Sequence, residues 1–298
     1  MKMICKFLIV ILFFSIATGC GDRNSDPGLE VEISDPGLET AIREAIGKPY
    51  APIYVKDLEG LTEFNARGKG IVDLTGLEYC TNLEKLYLTS SKITDISPLS
   101  QLVNLKELYL QDNEITDILP LSQLVNLKEL YLQDNKITDI APLSKLVNLK
   151  WLDLVENKIT DISPLTQLVN LELLGLMSNK ITDLLPLTQL VNLEGLNLYD
   201  NKITDIAPLL KLVNLKVLGL QNNKITDIAT LSKLVNLEKL YLYYNKITDI
   251  SPLVRNSGLS NGDLVDLTNN PELSRDSILI YIPALQDRKV EVKWSTKE

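Results

Sequence analysis

Histidine is absent from the chain, and cysteine occurs only three times in 298 residues. Without an imidazole, no histidine-activated serine or cysteine nucleophile can form. The sequence also lacks a glycine-rich phosphate loop and the Cys and His spacing of a zinc site. We therefore expect no enzyme activity, no metal and no cofactor.

Basic residues are outnumbered, because 30 Lys and Arg stand against 39 Asp and Glu and give a formal net charge of −9. Such a chain repels a phosphate backbone, so nucleic acid is not an expected partner. Hydrophobic residues make up 45% of the chain, which is too many for a disordered protein. The composition indicates a folded protein whose partners are not polyanions.

The apolar run near the N-terminus, Phe7 to Phe14, is too short to span a membrane. Lys2 and Lys6 flank its start and small residues follow it, which is typical of an export signal. We assign residues 1–19 to this signal, which would be removed from the mature protein.

The signal ends at Ala17-Thr18-Gly19-Cys20, which resembles the lipobox of bacterial lipoproteins. The resemblance implies a lipid on the Cys20 sulfur and contact with a membrane through that lipid alone. Residues 20–33 would then be the lipidated cysteine and a polar tether, holding the protein on a bacterial envelope membrane. The alternative is an ordinary secretory signal with a chance cysteine. Cys80 is the remaining thiol of the mature chain and is interpreted as a small core residue.

Most of the remaining chain consists of one sequence motif that recurs eight times at a fixed interval of 22 residues. Fixed periodicity on this scale indicates a solenoid, in which no copy can bury a core alone. Each copy begins at an asparagine: Asn82, Asn104, Asn126, Asn148, Asn170, Asn192, Asn214 and Asn236.

Both ends of a solenoid need covers, and the flanking segments supply them. Residues 34–60 predict a helical N-terminal cap, with Asp35 as N-cap, Pro36 in the first turn and Gly47 at the end. Residues 61–257 hold one divergent and eight regular repeats. Residues 258–298 hold a last divergent repeat and a C-terminal cap, with a helix near 274–286 and a strand near 290–294. The apolar face of the first helix is Leu38, Ala41, Ile42, Ala45 and Ile46.

Within one copy, Leu105-x-x-Leu108-x-Leu110-x-x-Asn113 has the alternation of a short strand with inward leucines. This spelling is the leucine-rich repeat signature. It predicts an α/β right-handed solenoid, curved like a horseshoe, with a parallel β-sheet on the concave face. The prolines that follow, such as Pro142, favour 3₁₀ turns on the convex face. An aspartate before each turn, such as Asp139, is expected to cap it; a calcium ladder is the alternative.

The chain resembles bacterial leucine-rich repeat proteins of the internalin type from Glu32 to Trp294, on copies spelled like Leu127 to Ile140. The resemblance implies a binding scaffold. It departs from some internalins in having no immunoglobulin-like region after the repeats and no cell-wall sorting signal in residues 294–298. Host-cell invasion, which is known for some internalins, is therefore not expected from it.

The outward-facing strand positions vary among the copies, whereas the inward-facing residues hardly change. Seven of the 11 tyrosines and Trp151 fall on these positions, and such residues concentrate at binding hot spots. An acidic edge suits Lys or Arg on a partner, and glycines leave room beside a central apolar patch. The candidate ligand-binding residues are Tyr87, Tyr109, Tyr131, Trp151, Leu173, Met177, Tyr199, Tyr241, Tyr243, Tyr244, Asp112, Asp134, Glu156 and Asp200.

These positions predict a monomeric binding module that captures a protein or peptide, with a basic surface, on its concave face. Two alternatives remain at this stage: a structural spacer of the envelope, and a carbohydrate-binding surface protein. A further alternative is that the aromatic columns only stabilise the sheet and that exposed positions drifted after duplication. A glycosidase pair such as Asp112 and Asp134 is not expected, because these carboxylates recur by repetition on an open surface.

Overall fold

The computed structural model describes residues 28–295, so the predicted signal segment and Cys20 lie outside it. In the described range, eleven three-residue strands form one parallel sheet whose order follows the chain. The strands are β1 (Glu63–Asn65), β2 (Lys85–Tyr87), β3 (Glu107–Tyr109), β4 (Glu129–Tyr131), β5 (Trp151–Asp153), β6 (Leu173–Gly175), β7 (Gly195–Asn197), β8 (Val217–Gly219), β9 (Lys239–Tyr241), β10 (Leu264–Asp266) and β11 (Glu291–Lys293).

The 22-residue repeat sets the register of the sheet. Leu108 pairs with Leu130, its counterpart in the next copy, and the same offset holds from β2 to β9. Because side chains alternate along a strand, the central leucine enters the core and its two neighbours face outward. Leu108 and Leu130 are fully buried. The leucine-rich repeat solenoid predicted from the sequence is confirmed.

A ladder of buried asparagines joins the coils behind the sheet. The Asn157 side-chain amide donates to the carbonyl oxygens of Leu132 (3.0 Å), Leu154 (3.2 Å) and Val155 (3.2 Å). Its Oδ1 accepts from the Ile137 N–H at 3.0 Å. One side chain thus satisfies four backbone groups in two coils, groups that would otherwise be buried without partners.

The ladder begins at Asn113 and continues to Asn270 in the last, divergent repeat. Ser91 takes the asparagine position in the first regular copy, as the sequence shows. Its hydroxyl oxygen is buried and has no hydrogen-bond partner in the described part of the chain. The serine side chain is too short to reach the preceding coil, so the asparagine ladder begins in the second regular copy, at Asn113.

The convex side consists of 3₁₀ turns, as predicted. Most contain a proline at the second position, and the aspartate before each one accepts a backbone N–H: Asp139 Oδ1 accepts from Ala141 at 2.8 Å. This capping accounts for the aspartate column. Two turns show that proline does not decide their geometry alone. Ala229–Lys233 is a 3₁₀ turn without proline, and Ser251–Arg255 (α3) is a short α-helix despite Pro252.

The N-terminal cap contains α1 (Pro36–Ile46) and α2 (Val55–Leu58). Asp35 caps α1, because its Oδ1 accepts from the Gly37 and Leu38 N–H groups at 2.9 and 3.0 Å. Its Oδ2 accepts from Val72 (2.8 Å) in the first coil. Burial raises the pKa of Asp35, but these backbone donors outweigh it and hold the pKa below its ordinary value. One carboxylate therefore both starts the helix and ties it to the solenoid.

The extent of the cap differs from the sequence prediction at two places. Ala45 is exposed, so the buried face of α1 is narrower than predicted. Val31 and Ile33, which the sequence assigned to the polar tether, are buried, and the Val31 N–H donates to the Ile53 carbonyl at 2.8 Å. The cap therefore includes residues before position 34, which the sequence does not indicate because two isolated apolar residues give no periodic signal.

The C-terminal cap follows the prediction. A π-helical segment (Ser277–Tyr281) leads into α4 (Ile282–Asp287), and β11 pairs with β10 to end the sheet. Ile282 and Leu285 are buried against the last coil. Among the described residues, none of the helices has the length and hydrophobicity to cross a membrane.

The ladder gives a first prediction. Replacing Asn157 with Ala strands buried backbone groups in two coils and should lower the free energy of unfolding by about 3 kcal/mol. Asn148 is the matched control, because it is exposed and donates one hydrogen bond, to the Val125 carbonyl. Asn148→Ala should cost less than about 1 kcal/mol in urea unfolding. Equal losses in the two variants would contradict the role of the ladder.

Candidate functional site

The N-terminal half of the concave face carries a stack of aromatic rings. Tyr87, Tyr109 and Tyr131 are one repeat apart, and their neighbouring ring centroids lie 4.5 and 4.4 Å apart with nearly parallel planes. Trp151 ends the stack, tilted by 43° at 5.6 Å from Tyr131. The rings cover one another, so each tyrosine is half-buried and presents an edge rather than a face.

Two glutamates fix the hydroxyl ends of this stack. The Tyr131 hydroxyl donates to Glu129 at 3.1 Å, and the Tyr109 hydroxyl to Glu107 at 3.3 Å. Burial, then the charges of Glu107 and Glu129, raise the pKa of Tyr109 to about 12. The tyrosines are therefore neutral donors held within the sheet. This arrangement favours a structural role for these tyrosines. The sequence left open the alternative that the aromatic columns stabilise the sheet.

A depression of about 540 Å³ opens immediately beyond the stack, in the middle of the sheet. It extends from Trp151 in β5 to Tyr241 in β9, and Leu173 and Val217 form its apolar floor and side. Trp151 is 38% exposed and Val217 39%. The predicted apolar patch therefore lines a depression in the concave face.

Glycines shape the depression by letting side chains of the preceding coil lie across them. A Cβ on Gly175 would stand 2.6 Å from the Asp153 carboxylate, and one on Gly219 would stand 2.9 Å from the Asn197 amide oxygen. The Leu173 side chain lies across Gly195 in the same way, at 2.5 Å. The glycines therefore leave room for three side chains of the preceding coils to lie across them.

Asp153 is the ionisable group most enclosed by this arrangement. Its Oδ1 accepts from the Val155 N–H at 3.1 Å. Burial, with a smaller effect from the charge of Asp134, raises the pKa of Asp153 above its ordinary value. None of the ion pairs within residues 28–295 includes it. Its negative charge faces the depression without a cation beside it.

Asn197, two coils later, shows what this position needs structurally. Its Oδ1 accepts from the Tyr199 N–H at 3.1 Å, the same bond that Asp153 makes with Val155. Each side chain also lies over a glycine of the next coil. A neutral amide therefore serves the fold at this position, and the charge of Asp153 has no structural partner there.

The rim of the depression carries further charges. Lys216 pairs with Glu194 at 2.7 Å, and Glu238 lies on the other side of the same lysine. Together with Asp153, the depression has three carboxylates and one ammonium group in its lining. The local potential therefore favours a cationic group on a ligand.

A second aromatic group lies near the C-terminal end. The Tyr199 and Tyr243 ring centroids are 6.4 Å apart, and Tyr244 meets Tyr243 edge to face at 5.8 Å. Tyr241 instead lines the depression. Met177 is half-buried between the two groups and receives a weak contact from the Asn197 amide at 3.9 Å. The candidate residues thus form a stack, a depression and a C-terminal cluster.

The predicted acidic edge is a column of left-handed backbone. Asp112, Asp134 and Asp200 are exposed, with φ of 61°, 55° and 54°. Short polar side chains tolerate this conformation, but Glu156 and Tyr244 (φ 52° and 55°) adopt it at a cost in backbone strain. Hydrogen bonding to Asp134, then its charge, raises the pKa of Glu156.

Comparison with known proteins identifies the family. A model described as Leucine Rich repeats (2 copies) matches residues 103–145, 147–189, 191–233 and 213–255. The crystal structure of internalin InlF from Listeria monocytogenes is 32% identical, with a TM-score of 0.71, and the alignment covers 89% of this chain and 91% of that one. This chain is a leucine-rich repeat protein of the internalin type.

Two further structures show how far the likeness of this internalin-type protein extends. Internalin C2 of Listeria monocytogenes is 34% identical over 75% of this chain and 90% of that one, with a TM-score of 0.58. The ectodomain of the plant receptor kinase GASSHO1/SCHENGEN3 from Arabidopsis thaliana shares the fold at 22% identity and a TM-score of 0.63, over 82% of this chain and 34% of that one. No curated protein matches the sequence significantly. Leucine-rich repeat domains are protein-interaction modules, and the comparisons support a binding role.

In this internalin-type protein, the sequence pattern places Asp153 and Asn197 only in the outward columns and does not single them out as site residues. Val217 belongs to the apolar patch that the sequence predicts, although it is not among the candidate ligand-binding residues. A signal was present, because the third strand position alternates as Asp153, Gly175, Asn197 and Gly219, a run in which each polar residue is followed by a glycine one coil later. That a side chain lies across each glycine becomes evident only from the packing.

Asp153 gives a second prediction. Its folded pKa is raised, so ionisation costs folding free energy as pH rises through that pKa. Asp153→Asn keeps the bond to Val155 and removes the charge, and it should raise the free energy of unfolding by about 1 kcal/mol at neutral pH. The gain should disappear as pH falls below 3.8, the ordinary pKa of aspartate, because residue 153 is then neutral in the wild type as well as in the variant. Urea unfolding across this pH range measures it; a loss of stability at neutral pH would contradict the unpaired charge.

Proposed function

We propose that this protein is a non-enzymatic binding module that holds a protein or peptide partner on its concave face. The observation that carries the proposal is the apolar depression at Trp151, Leu173 and Val217. It interrupts a sheet whose inward-facing residues repeat almost unchanged, and it combines an exposed tryptophan and an exposed valine with a half-buried leucine. Such surfaces supply binding free energy when a partner covers them.

The character of the depression favours a protein or peptide over a carbohydrate. A sugar presents hydroxyl groups that need hydrogen-bond partners when they are buried. The walls here are largely Leu, Val and Gly, with polar groups at the rim and at Asp153. Aliphatic and aromatic side chains of a peptide fit such walls, whereas sugar hydroxyls would lose hydration without replacement.

The concave face supports a binding role better than it supports a spacer role. A spacer needs regular surfaces, and the regular columns lie on the outer edge, where Val147, Val169 and Val213 repeat with equal exposure. The variation is concentrated on the concave strands. In this proposal the aromatic stack stiffens one side of the site, and the acidic edge attracts basic groups of the partner.

We further propose that lipid on Cys20 holds the protein at a bacterial envelope membrane. The support is the lipobox-like sequence after the short apolar run. Cys20→Ser should move the protein from the membrane fraction to the soluble fraction after export, with its repeats folded. Retention in the membrane fraction would contradict lipid anchoring.

The binding proposal predicts that substitutions inside the depression weaken binding far more than a substitution at an equally exposed position outside it. Val217 in the depression and Val213 in the turn before β8 are 39% and 42% exposed. The partner is first crosslinked in the native envelope and purified, and its affinity is then measured by titration calorimetry. Trp151→Ala with Val217→Ser should weaken binding at least about 100-fold. Val213→Ser should change it less than about 3-fold.

The outcome separates the proposed function from its alternatives. Binding that survives the concave pair of substitutions but fails after changes in the N-terminal or C-terminal cap would favour an assembly role. Circular dichroism must show that both variants retain the fold, since only then does lost affinity report on the surface.

A further inference from the structure

Building on the proposed concave-face function, we propose that the partner inserts an arginine side chain into the depression, against Trp151 and the Asp153 carboxylate. Arginine would be flanked by apolar side chains two and four residues away in an extended segment. The inference names the chemistry of the anchor and the spacing of its neighbours.

The first argument is that the charge of Asp153 lacks a structural purpose. Asn197 occupies the equivalent place in its coil, makes the same backbone hydrogen bond and lies over a glycine in the same way. A half-buried carboxylate costs desolvation free energy that an amide at this position would avoid. No intramolecular cation among residues 28–295 offsets the cost, so the charge is explained by a cation that arrives with a ligand.

The second argument is the position of Trp151. It lies two residues before Asp153 on the same strand, so both side chains leave the same face of the sheet. The Tyr131 ring lies 5.6 Å from its indole at a tilt of 43°, and the Trp151 side chain also lines the depression. A cation placed there is attracted by the ring face and by the carboxylate together.

The third argument concerns rigidity. The Asp153 carboxylate occupies the space that Gly175 leaves open, since a Cβ there would stand 2.6 Å from it, and the hydrogen bond from the Val155 N–H fixes its direction. A carboxylate fixed in direction favours a ligand that can match two oxygens in a plane. Arginine does so through its planar guanidinium and also stacks on an aromatic ring, whereas lysine offers a point charge on a flexible stem.

The spacing of the apolar surfaces gives the neighbours of the arginine. Strands in a sheet lie about 4.8 Å apart, so Val217 in β8 is about 14 Å across the sheet from Asp153 in β5. An extended chain advances about 6.6 Å for every two residues. Apolar side chains two and four residues from the arginine would therefore reach the surface over Leu173 and Gly195, and then Val217.

Rim charges support the same choice. Glu194 and Glu238 flank Lys216 at the mouth of the depression, and Asp134 adds negative charge near Asp153. These groups attract a cation during approach and disfavour an acidic segment. A neutral apolar peptide would cover the apolar walls of the depression but leave the Asp153 carboxylate desolvated and without a cation.

The test uses a display library of random 12-residue peptides, selected on the purified full-length protein and, in parallel, on Asp153→Asn. Selection on the wild type should enrich arginine with apolar residues at the second and fourth positions from it, and selection on Asp153→Asn should lose the arginine. For a selected peptide, Arg→Lys should weaken binding to the wild type about 10-fold and Arg→Ala about 30-fold. On Asp153→Asn, both changes should have effects below about 3-fold.

The outcomes distinguish this inference from the function on which it rests. Peptides that lose affinity on Trp151→Ala with Val217→Ser but show no arginine preference would overturn the anchor and leave the concave site in place. An arginine preference that persists on Asp153→Asn would also overturn the anchor. Peptides insensitive to the concave substitutions, or no enrichment at all, would count against both proposals.

Discussion

The structure depends first on the buried asparagine ladder. Each three-residue strand is too short to be stable alone, and the loop behind it leaves backbone groups away from water. An asparagine such as Asn157 supplies both donors and acceptor to two successive coils, and its counterparts do the same from Asn113 to Asn270. The leucine core then fills the space that the ladder encloses. Coil stacking is therefore fixed by groups that do not reach the concave surface.

This division leaves the concave face free to vary. Leu152 in the centre of β5 is buried, whereas Trp151 and Asp153 on either side of it face outward. Substitutions at such outward positions change the surface without changing the register. The central depression is one result of that freedom, because Gly175 and Gly219, with the side chains that lie across them, interrupt the aromatic column. Function and fold thus use alternate residues of the same three-residue strand.

Most of the fold could be predicted, because it repeats. Eight copies average out local ambiguity, so the strands, 3₁₀ turns and asparagine column followed from spacing alone. The ends were less predictable: Val31 and Ile33 join the cap without a periodic pattern, and Ser251–Arg255 becomes α-helical where no regular coil follows it. For the candidate site, the sequence predicted only that it lies on the concave face. The role of Asp153 depends on how its side chain lies across Gly175, and the alternation of polar residues and glycines in the sequence does not show that packing.

The claim that concave positions carry function while repeated positions carry the fold can be tested inside the native envelope. A photo-crosslinking amino acid would replace Val217 in the depression or, as the matched control, Val213 in the turn before β8. Their side chains have nearly equal exposure. After irradiation, the account predicts a discrete crosslinked partner from position 217 and none from position 213. The same partner from both positions, or from position 213 alone, would contradict it.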